Sequence, residues 1–290
     1  MSTQMHPALD SLVGIAYPLI RLMPPRTASK LMAVVIGKFA RFFVKEKEIT
    51  RNLRVAFPDL DESSLNVLRG KVYANLGRLI AEILHIPSFA SDLHGTIMEA
   101  RGATDYPLVQ KGQAIYVSAH LGNWELLPIL FTRRDIPLTI IYSPIGHRQI
   151  DSKLMASRQK TGATYVEKSG ALRSCVAALK GGKSIALLVD QRVDSGIEVD
   201  FFGQRTLFTP MPARMALKFN CPIIFAKSVR VGPSHVQAVF DEPIWPGTER
   251  GKQAEEDLTR RLAKMTEDSI RQHPEQWFCG KRRWGKHYPK

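Results

Sequence analysis

Closely spaced cysteines are absent from this sequence of 290 residues. The three cysteines, Cys175, Cys221 and Cys279, lie far apart and form no CxxC pair. Small disulfide-rich scaffolds and zinc ribbons both depend on such pairs. The cysteine pattern therefore argues against both classes and is typical of a protein in a reducing cytosol.

Long apolar runs are also lacking. A membrane-spanning helix needs about 20 mainly apolar residues. The run 11–20 contains Pro18, and the run 31–44 is interrupted by Lys38 and Arg41. The N-terminal residues before the first run carry no Lys or Arg, which fits poorly with a secretory signal. We therefore expect two amphipathic helices, which either lie in a membrane surface or simply pack on the core.

Acidic residues are outnumbered by basic ones. The sequence has 41 Lys and Arg against 27 Asp and Glu, a formal net charge of +14. This excess predicts an anionic partner, which is a nucleic acid, an anionic lipid or a phosphorylated substrate. The sequence shows no recognised nucleic-acid motif and its basic residues are spread out, so we expect no nucleic-acid partner. A non-catalytic basic protein that binds nucleic acid or a membrane stays only as a distant alternative.

Two patterns divide the chain. Residues 1–100 read as helical, and we expect this region to associate with a membrane. Beyond them, strand-like runs alternate with helical ones, which indicates βα units. The predicted fold over residues 101–290 is α/β, with a largely parallel mixed sheet flanked by helices, and the two regions are expected to form one continuous structural unit. The predicted strands are AIYVSA, PLTIIYS, ATYVE, SIALLVD, PIIFAKSVR and HVQAVF.

The stretch SAHLGNWELL, residues 118–127, joins the end of a predicted strand to the start of a helix. Ligand binding and catalysis concentrate at the carboxyl ends of strands in such sheets. Positions five apart lie about 140° apart on one helix, so we place His120 on the loop and Glu125 in the first helical turn, where they can meet. A carboxylate on one ring nitrogen leaves the other nitrogen to take a proton, which makes His120 a candidate general base.

His120 and Glu125 each have a structural role open to them as well. His120 can satisfy a buried carbonyl, and Glu125 can be a solvated acid favoured by the helix dipole. A zinc site is a further alternative, but HExxH is absent and no second histidine lies nearby. If the pair is catalytic, the lack of GxSxG and of a cysteine at such an elbow predicts that the nucleophile is the substrate's own hydroxyl.

The six residues HLGNWE resemble an acyltransferase motif, a histidine and an acid separated by four residues. Glycerolipid acyltransferases and the late acyltransferases of lipid A biosynthesis share it. Further stretches resemble the lipid A group in particular and occur in that family's order: NLRVAFPDL (52–60), LLVDQ (187–191), FFGQRTLFTPMPARMALKFNCPIIFA (201–226) and HPEQWFCGKRRW (273–284). They cover most of the chain, which is therefore similar to the lauroyl/myristoyl-type lipid A acyltransferases.

This resemblance implies an acyltransferase that needs no metal or other cofactor, with His120 as general base and Glu125 as its orienting partner. The implied reaction moves a fatty acyl chain from an acyl carrier protein thioester to a hydroxyl of a lipid A precursor, without a covalent acyl-enzyme. The implied location is the cytoplasmic face of the bacterial inner membrane, with peripheral or monotopic attachment to anionic lipids. Another acceptor, such as a lysophospholipid, an aminolipid or a phosphoinositol mannoside, stays open, as do a coenzyme A donor, the acyl chain length and the oligomeric state.

The resemblance also suggests residues that bind substrate. Arg158 is expected to bind a phosphate or the developing oxyanion, with a helix-surface arginine as the alternative. Asp190 ends a strand near the same sheet edge and is expected to orient Arg158 or the acceptor. Asn123 and Gln191 are the other two candidates for substrate binding.

The C-terminal residues mix aromatic and basic side chains. Trp277, Trp284 and Tyr288 lie among four Lys and Arg residues. Such a mixture suits an interfacial contact with a membrane or a docking surface for the carrier protein, and we expect one of these two uses.

Overall fold

The structure, a computed structural model, describes residues 7–40, 46–91, 97–99 and 113–285. Within these residues, ten α-helices flank a seven-stranded sheet, and a separate two-stranded hairpin contacts the last helix. None of the described helices is both long and apolar enough to cross a bilayer.

Five helices form the N-terminal part of the chain. They are α1 Pro7–Leu22, α2 Pro25–Phe39, α3 Glu46–Ala56, α4 Glu62–Leu84 and α5 Ile86–Ser91. Asp61 caps α4, since its Oδ1 accepts a hydrogen bond of 2.7 Å from the Ser64 N–H. The backbone of α2 approaches α4 closely at Gly77, where an added Cβ would lie 2.1 Å from the Met32 carbonyl oxygen. The predicted helices are thus present as far as Ser91.

The central sheet has seven strands. They are β1 Ile97–Glu99, β2 Ile115–Ser118, β3 Leu138–Tyr142, β4 Thr164–Glu167, β5 Ser184–Leu188, β8 Ile223–Gly232 and β9 His235–Phe240. Their spatial order is β1-β9-β8-β2-β5-β3-β4. Neighbouring strands are parallel except for β8 and β9, which form an antiparallel hairpin. The predicted α/β fold with a largely parallel mixed sheet is confirmed.

Apolar residues cover both faces of this sheet. The remaining helices are α6 Leu127–Thr132, α7 Arg148–Gln159, α8 Ala171–Lys180, α9 Met211–Phe219 and α10 Lys252–Gln272. Ile115 and Val117 of β2 belong to the large core cluster that includes residues of α8, α9 and α10. Tyr116 points the other way and packs with Leu127 and Phe131 of α6. Burial on both faces explains why the predicted strands are continuous apolar runs.

Two strand elements escaped prediction. One is the hairpin of β6 Ile197–Phe201 and β7 Gln204–Phe208, whose turn residues Phe202 and Gly203 have φ values of 58° and 70°. Two successive positive φ angles are typical of a two-residue hairpin turn, and Gly203 was the signal for it. The other is β1, which pairs with β9 although its residues fall in the region read as helical.

The last described residues of the chain include several that are buried. Trp277 and Trp284 are each 1% exposed, and Arg283 is fully buried. The Phe278 N–H donates a hydrogen bond of 2.9 Å to the His120 carbonyl, so this segment lies along the HLGNWE loop. The expectation that these tryptophans form an interfacial contact or a carrier-protein dock is therefore wrong. Tyr288 lies outside the described residues.

Candidate active site

His120 and Asp190 meet at the carboxyl ends of two neighbouring strands. β2 and β5 are parallel, and Ser118 pairs with Leu188. His120 and Asp190 each lie two residues beyond this pair. His120 Nδ1 lies 2.7 Å from Asp190 Oδ1. The His120 side chain is 15% exposed, and the Asp190 carboxylate is completely buried. The register of one strand pair thus joins an imidazole and a carboxylate that are 70 residues apart in the chain.

Two side chains hold the Asp190 carboxylate. His120 Nδ1 is hydrogen-bonded to Oδ1 at 2.7 Å, and the Trp277 Nε1–H donates to Oδ2 at 2.9 Å. Burial alone raises the pKa of Asp190, but the charge interaction and hydrogen bond with His120, together with the Trp277 hydrogen bond, lower that pKa by more. The pKa of Asp190 therefore lies below its ordinary value, and the group is an ionised acceptor at neutral pH. An ionised acceptor at Nδ1 places the ring proton there and leaves the lone pair on Nε2.

The predicted contact between His120 and Glu125 is wrong. Glu125 lies in a 3-10 turn, Trp124–Leu126, and binds Arg158 through both carboxylate oxygens. Arg158 Nε donates to Oε2 at 2.9 Å, and Nη2 donates to Oε1 at 2.6 Å. Asp190, which was expected to orient Arg158 or the acceptor, binds His120 instead. The two carboxylates have exchanged the partners that the sequence suggested.

The pair of Arg158 and Glu125 is enclosed by aromatic rings. Its side chains are 12% and 7% exposed, and the Arg158 guanidinium carbon lies 5.4 Å from the centre of the Tyr142 ring and 5.6 Å from that of Tyr165. Burial lowers the pKa of Arg158, but the hydrogen bonds and charge of Glu125 raise it by more, so the net pKa is raised. The Arg158 guanidinium therefore stays charged, and its two hydrogen bonds to Glu125 fix α7 to the HLGNWE loop.

Trp124 connects the two pairs. Its ring lies edge-on to the His120 ring, with 4.7 Å between the centroids. Its Nε1–H donates to Glu125 Oε1 at 3.1 Å. A displacement of the Glu125 carboxylate would therefore move the Trp124 indole, which in turn contacts the His120 ring.

Asn123, which was predicted to bind substrate, is held inside the fold by its own hydrogen bonds. It is completely buried, and its Nδ2 donates to Glu82 Oε2 at 2.8 Å. Its Oδ1 accepts a hydrogen bond from the Glu125 N–H at 3.2 Å, which caps the 3-10 turn. Asn123 therefore orders the loop, and the turn N–H that it occupies is not available to an oxyanion.

Gly122 permits the bend between His120 and the 3-10 turn. Its φ is +56°, a backbone conformation that side chains disfavour. An added Cβ at this position would lie 2.3 Å from the Ser228 carbonyl oxygen. Any side chain here would displace β8 or the loop.

Gln191 lies against Nε2 of His120, the ring nitrogen that does not bind Asp190. Its Nε2 is 3.1 Å from His120 Nε2. With the lone pair on the ring nitrogen, the Gln191 amide is the donor in this contact. Gln191, predicted to bind substrate, thus covers the ring nitrogen of His120 that Asp190 leaves open.

Sequence reasoning missed two supports of this site. Trp277, which holds Asp190, belongs to the HPEQW stretch that carried the family resemblance but was assigned to a surface. The other support is the ion pair of Glu82 and Arg230. Arg230 Nη2 donates to Glu82 Oε2 at 2.8 Å, and the same oxygen accepts from Asn123. Glu82 follows Leu79 by three residues on the buried face of α4, and an acid on an apolar helix face was the available signal.

The cysteines are poorly suited to nucleophilic chemistry. Cys175, Cys221 and Cys279 are all buried, and burial raises the pKa of the first two to about 11. Burial also raises the pKa of Cys279. A thiol rather than a thiolate is present at neutral pH in each case. Among the residues that the structure describes, no three His, Cys, Asp or Glu side chains form a group that could hold a metal ion.

Known proteins resemble the chain over most of its length. A family model described as bacterial lipid A biosynthesis acyltransferase matches residues 3–286. A phosphatidylinositol mannoside acyltransferase from Mycolicibacterium smegmatis is 22% identical over 284 residues, which cover 92% of this chain and 88% of that protein. The Vi polysaccharide export protein VexE from Salmonella typhi is 24% identical over 170 residues, 58% of this chain and 23% of that protein.

A solved structure also aligns with the chain. It is the 1-acyl-sn-glycerophosphate acyltransferase PlsC from Thermotoga maritima, with 13% identity, a TM-score of 0.40, and coverage of 83% of this chain and 98% of that one. The family assignment rests on the family model, which spans nearly the whole sequence. The protein is an acyltransferase that belongs to the bacterial lipid A biosynthesis acyltransferase family.

Proposed function

We propose that the protein transfers a fatty acyl chain from an acyl carrier protein thioester to a hydroxyl of a lipid A precursor. The observation that carries this proposal is the contact of His120 with the buried carboxylate of Asp190. It supports a general base whose Nε2 is directed away from Asp190 and can accept a proton from a hydroxyl. The family membership supports a lipid A precursor as the acceptor.

The proposed reaction proceeds in two steps. The acceptor hydroxyl displaces the Gln191 amide from His120 Nε2, gives its proton to that nitrogen and attacks the thioester carbonyl. Asp190 stabilises the imidazolium that forms. Collapse of the tetrahedral intermediate breaks the carbon–sulfur bond, and His120 returns the proton to the departing thiolate. The acyl group moves directly from donor to acceptor, without an acyl-enzyme.

Glu125 and Arg158 act as positioning residues in this proposal. Arg158 already uses Nε and Nη2 to bind Glu125, which leaves Nη1 for any further partner. The pair holds α7 and Trp124 against the loop that carries His120. An oxyanion or phosphate role for Arg158, as expected from the sequence, would use that remaining Nη1 group.

Several features support the proposed partners. The formal charge of +14 suits an acidic carrier protein and anionic lipids. Of the 13 large apolar side chains that are exposed in the described part of the chain, seven lie on α1 and α2: Ile15, Leu19, Leu22, Leu31, Val34, Val35 and Phe39. Lys30 and Lys38 are exposed on α2 as well. This surface, the α1–α2 face, is proposed to attach the protein to the cytoplasmic side of the bacterial inner membrane.

Vesicle sedimentation tests the attachment. We expect Leu19→Asn with Val34→Asn to reduce binding to anionic vesicles, because both side chains are more than half exposed on the α1–α2 face. Leu172→Asn is the matched control, since Leu172 is 59% exposed on α8. Equal binding of both variants would contradict the proposed surface.

A glycolipid acceptor is the second candidate. The relative that covers 92% of this chain is a phosphatidylinositol mannoside acyltransferase, and the same histidine chemistry serves any lipid hydroxyl. The two candidates differ only in the acceptor, so one experiment separates them.

The test offers the purified protein acyl carrier protein thioesters with either a tetra-acylated, phosphorylated glucosamine-disaccharide precursor or a phosphoinositol mannoside. The mass of each acceptor is measured, with His120→Ala as control. A gain of one acyl group on the disaccharide by wild type alone supports the proposed function. A gain on the mannoside alone supports the second candidate, and a gain by His120→Ala at the wild-type rate contradicts the proposed base.

A further inference from the structure

A cavity of about 320 Å³ lies behind the HLGNWE loop, between α4 and the turn that joins β8 to β9. Asn75 and Gln276 form part of its lining, and both contact Gly122 of the loop. Its charged lining residues are Lys71, Arg78, Arg230 and Glu275. The active-site residues His120 and Asp190 do not line it.

Arg230 is already neutralised within the fold. Its Nη2 donates to Glu82 Oε2 at 2.8 Å, and its Nε donates to Asn75 Oδ1 at 2.8 Å. Glu82 also accepts hydrogen bonds from Ser29 and Asn123. Both oxygens of the Glu82 carboxylate therefore already accept hydrogen bonds within the fold.

Arg78 is compensated only in part, by the nearby charge of Glu82. Its Nη1 is inaccessible to solvent and has no hydrogen-bond partner, and no ion pair of Arg78 occurs within the described part of the chain. Burial lowers the pKa of Arg78 and the positive charge of Arg230 lowers it further, while the charge of Glu82 raises it by less, so the net pKa is lowered. Lys71 is exposed at the same cavity, so Lys71 and Arg78 face only Glu275 as an opposing charge among the residues that line it. The cavity carries an excess positive charge.

We propose that this cavity binds a phosphate group, with Arg78 as its main ligand and Lys71 at its mouth. A guanidinium offers paired N–H donors that match phosphate oxygens, and charge-assisted bonds of this kind are among the strongest in proteins. The cavity also adjoins α2, because Ala74 in its lining lies 3.6 Å from the Cβ position of Gly37. The phosphate is therefore that of a lipid headgroup beside the α1–α2 face, or free phosphate.

Calorimetric titration of the full chain with inorganic phosphate at fixed ionic strength tests the site. Arg78→Gln should weaken binding at least about ten-fold, since a hydrogen bond between charged groups is lost. Lys71→Gln should weaken it about two- to five-fold, and its exposed position leaves the fold intact. Arg173→Gln, at an exposed arginine of α8 away from the cavity, is the matched control and should bind like wild type.

Vesicles separate the two sources of the phosphate. Binding to phosphatidylcholine vesicles that contain phosphatidic acid is compared with binding to vesicles of equal charge that contain phosphatidylserine. A preference for phosphatidic acid that Arg78→Gln abolishes assigns the site to a lipid phosphate, whereas calorimetric binding without this preference assigns it to free phosphate. Wild type without measurable phosphate binding, or with affinity equal to both cavity variants, would overturn the proposal. Neither arm contains an acyl donor, so the result is independent of the proposed reaction.

Discussion

The two ends of HLGNWE carry two charged pairs with different properties. His120 binds Asp190 through one ring nitrogen, and its other ring nitrogen is held only by the neutral amide of Gln191. At the other end, Arg158 is bound through two nitrogens, and both Glu125 oxygens are occupied. A base needs one open acceptor, whereas a permanent cation saturated by a carboxylate transfers no proton. This difference supports the proposal that His120 is the base and that Glu125 positions the loop.

The largest expected effect is that of His120→Ala. The variant should lose about 10²–10⁴ in turnover, the usual contribution of a general base. Turnover is measured at saturating acceptor, with thermal unfolding as the control for folding. Near-normal turnover in a folded variant would show that His120 is not the general base.

Asp190→Asn should lower turnover almost as much. The carboxylate accepts from both His120 Nδ1 and Trp277 Nε1, whereas an amide can offer its single oxygen to only one of these donors. Either the ring adopts the other tautomer or the indole N–H loses its partner. Steady-state kinetics beside Glu125→Gln check this expectation. A larger loss of turnover in Glu125→Gln would reverse the assignment of the two carboxylates.

Glu125→Gln should affect stability more than chemistry. Removing one partner of a buried ion pair leaves an uncompensated charge, and the expected loss is about 3 kcal/mol in the free energy of unfolding. Urea unfolding measures it. The double variant Glu125→Gln with Arg158→Met should recover part of the loss because the stranded guanidinium is then gone. No recovery would mean that the two residues do not act as a pair.

The pH dependence of the free energy of unfolding should reveal the lowered pKa of Asp190. The pKa of Asp190 is lower in the folded protein than its unfolded value of about 3.9, so its ionisation stabilises the fold above that pH. This contribution is lost as the pH falls through the folded pKa. The free energy of unfolding should therefore fall more steeply below about pH 4 in wild type than in Asp190→Asn. Parallel curves for the two proteins would contradict the lowered pKa.

The smallest effect is expected from Gln191→Ala. Its amide covers His120 Nε2 until an acceptor arrives, so its removal should admit water to the base. Hydrolysis of the thioester without acceptor should rise about two- to ten-fold, in line with one net hydrogen bond. Thiol release is measured with and without acceptor. An unchanged ratio of hydrolysis to transfer would show that Gln191 does not cover the base.

Local patterns were enough to predict six of the seven strands of the sheet, all except β1. The runs that became β2, β5 and β8 are apolar and separated by helical segments, and such alternation leads to parallel strands whatever their order. Composition was a poor guide to burial at the C-terminus. Arg283 and Trp284 resemble an interfacial pair in sequence, yet Arg283 is buried with its guanidinium carbon 4.7 Å from the centre of the Phe201 ring. A basic residue beside a tryptophan is equally compatible with a membrane surface and with an aromatic core.

The sequence by itself determined the class of fold, the family and the position of His120 at a strand end. It did not determine which carboxylate would bind that histidine, because spacing along the chain pointed only to the acid five residues away. Tertiary structure decided this point through the pairing of β2 with β5, in which Ser118 lies beside Leu188. Since side chains beyond paired residues of parallel strands emerge at the same edge, His120 met Asp190, and Glu125 was left to bind Arg158 on α7.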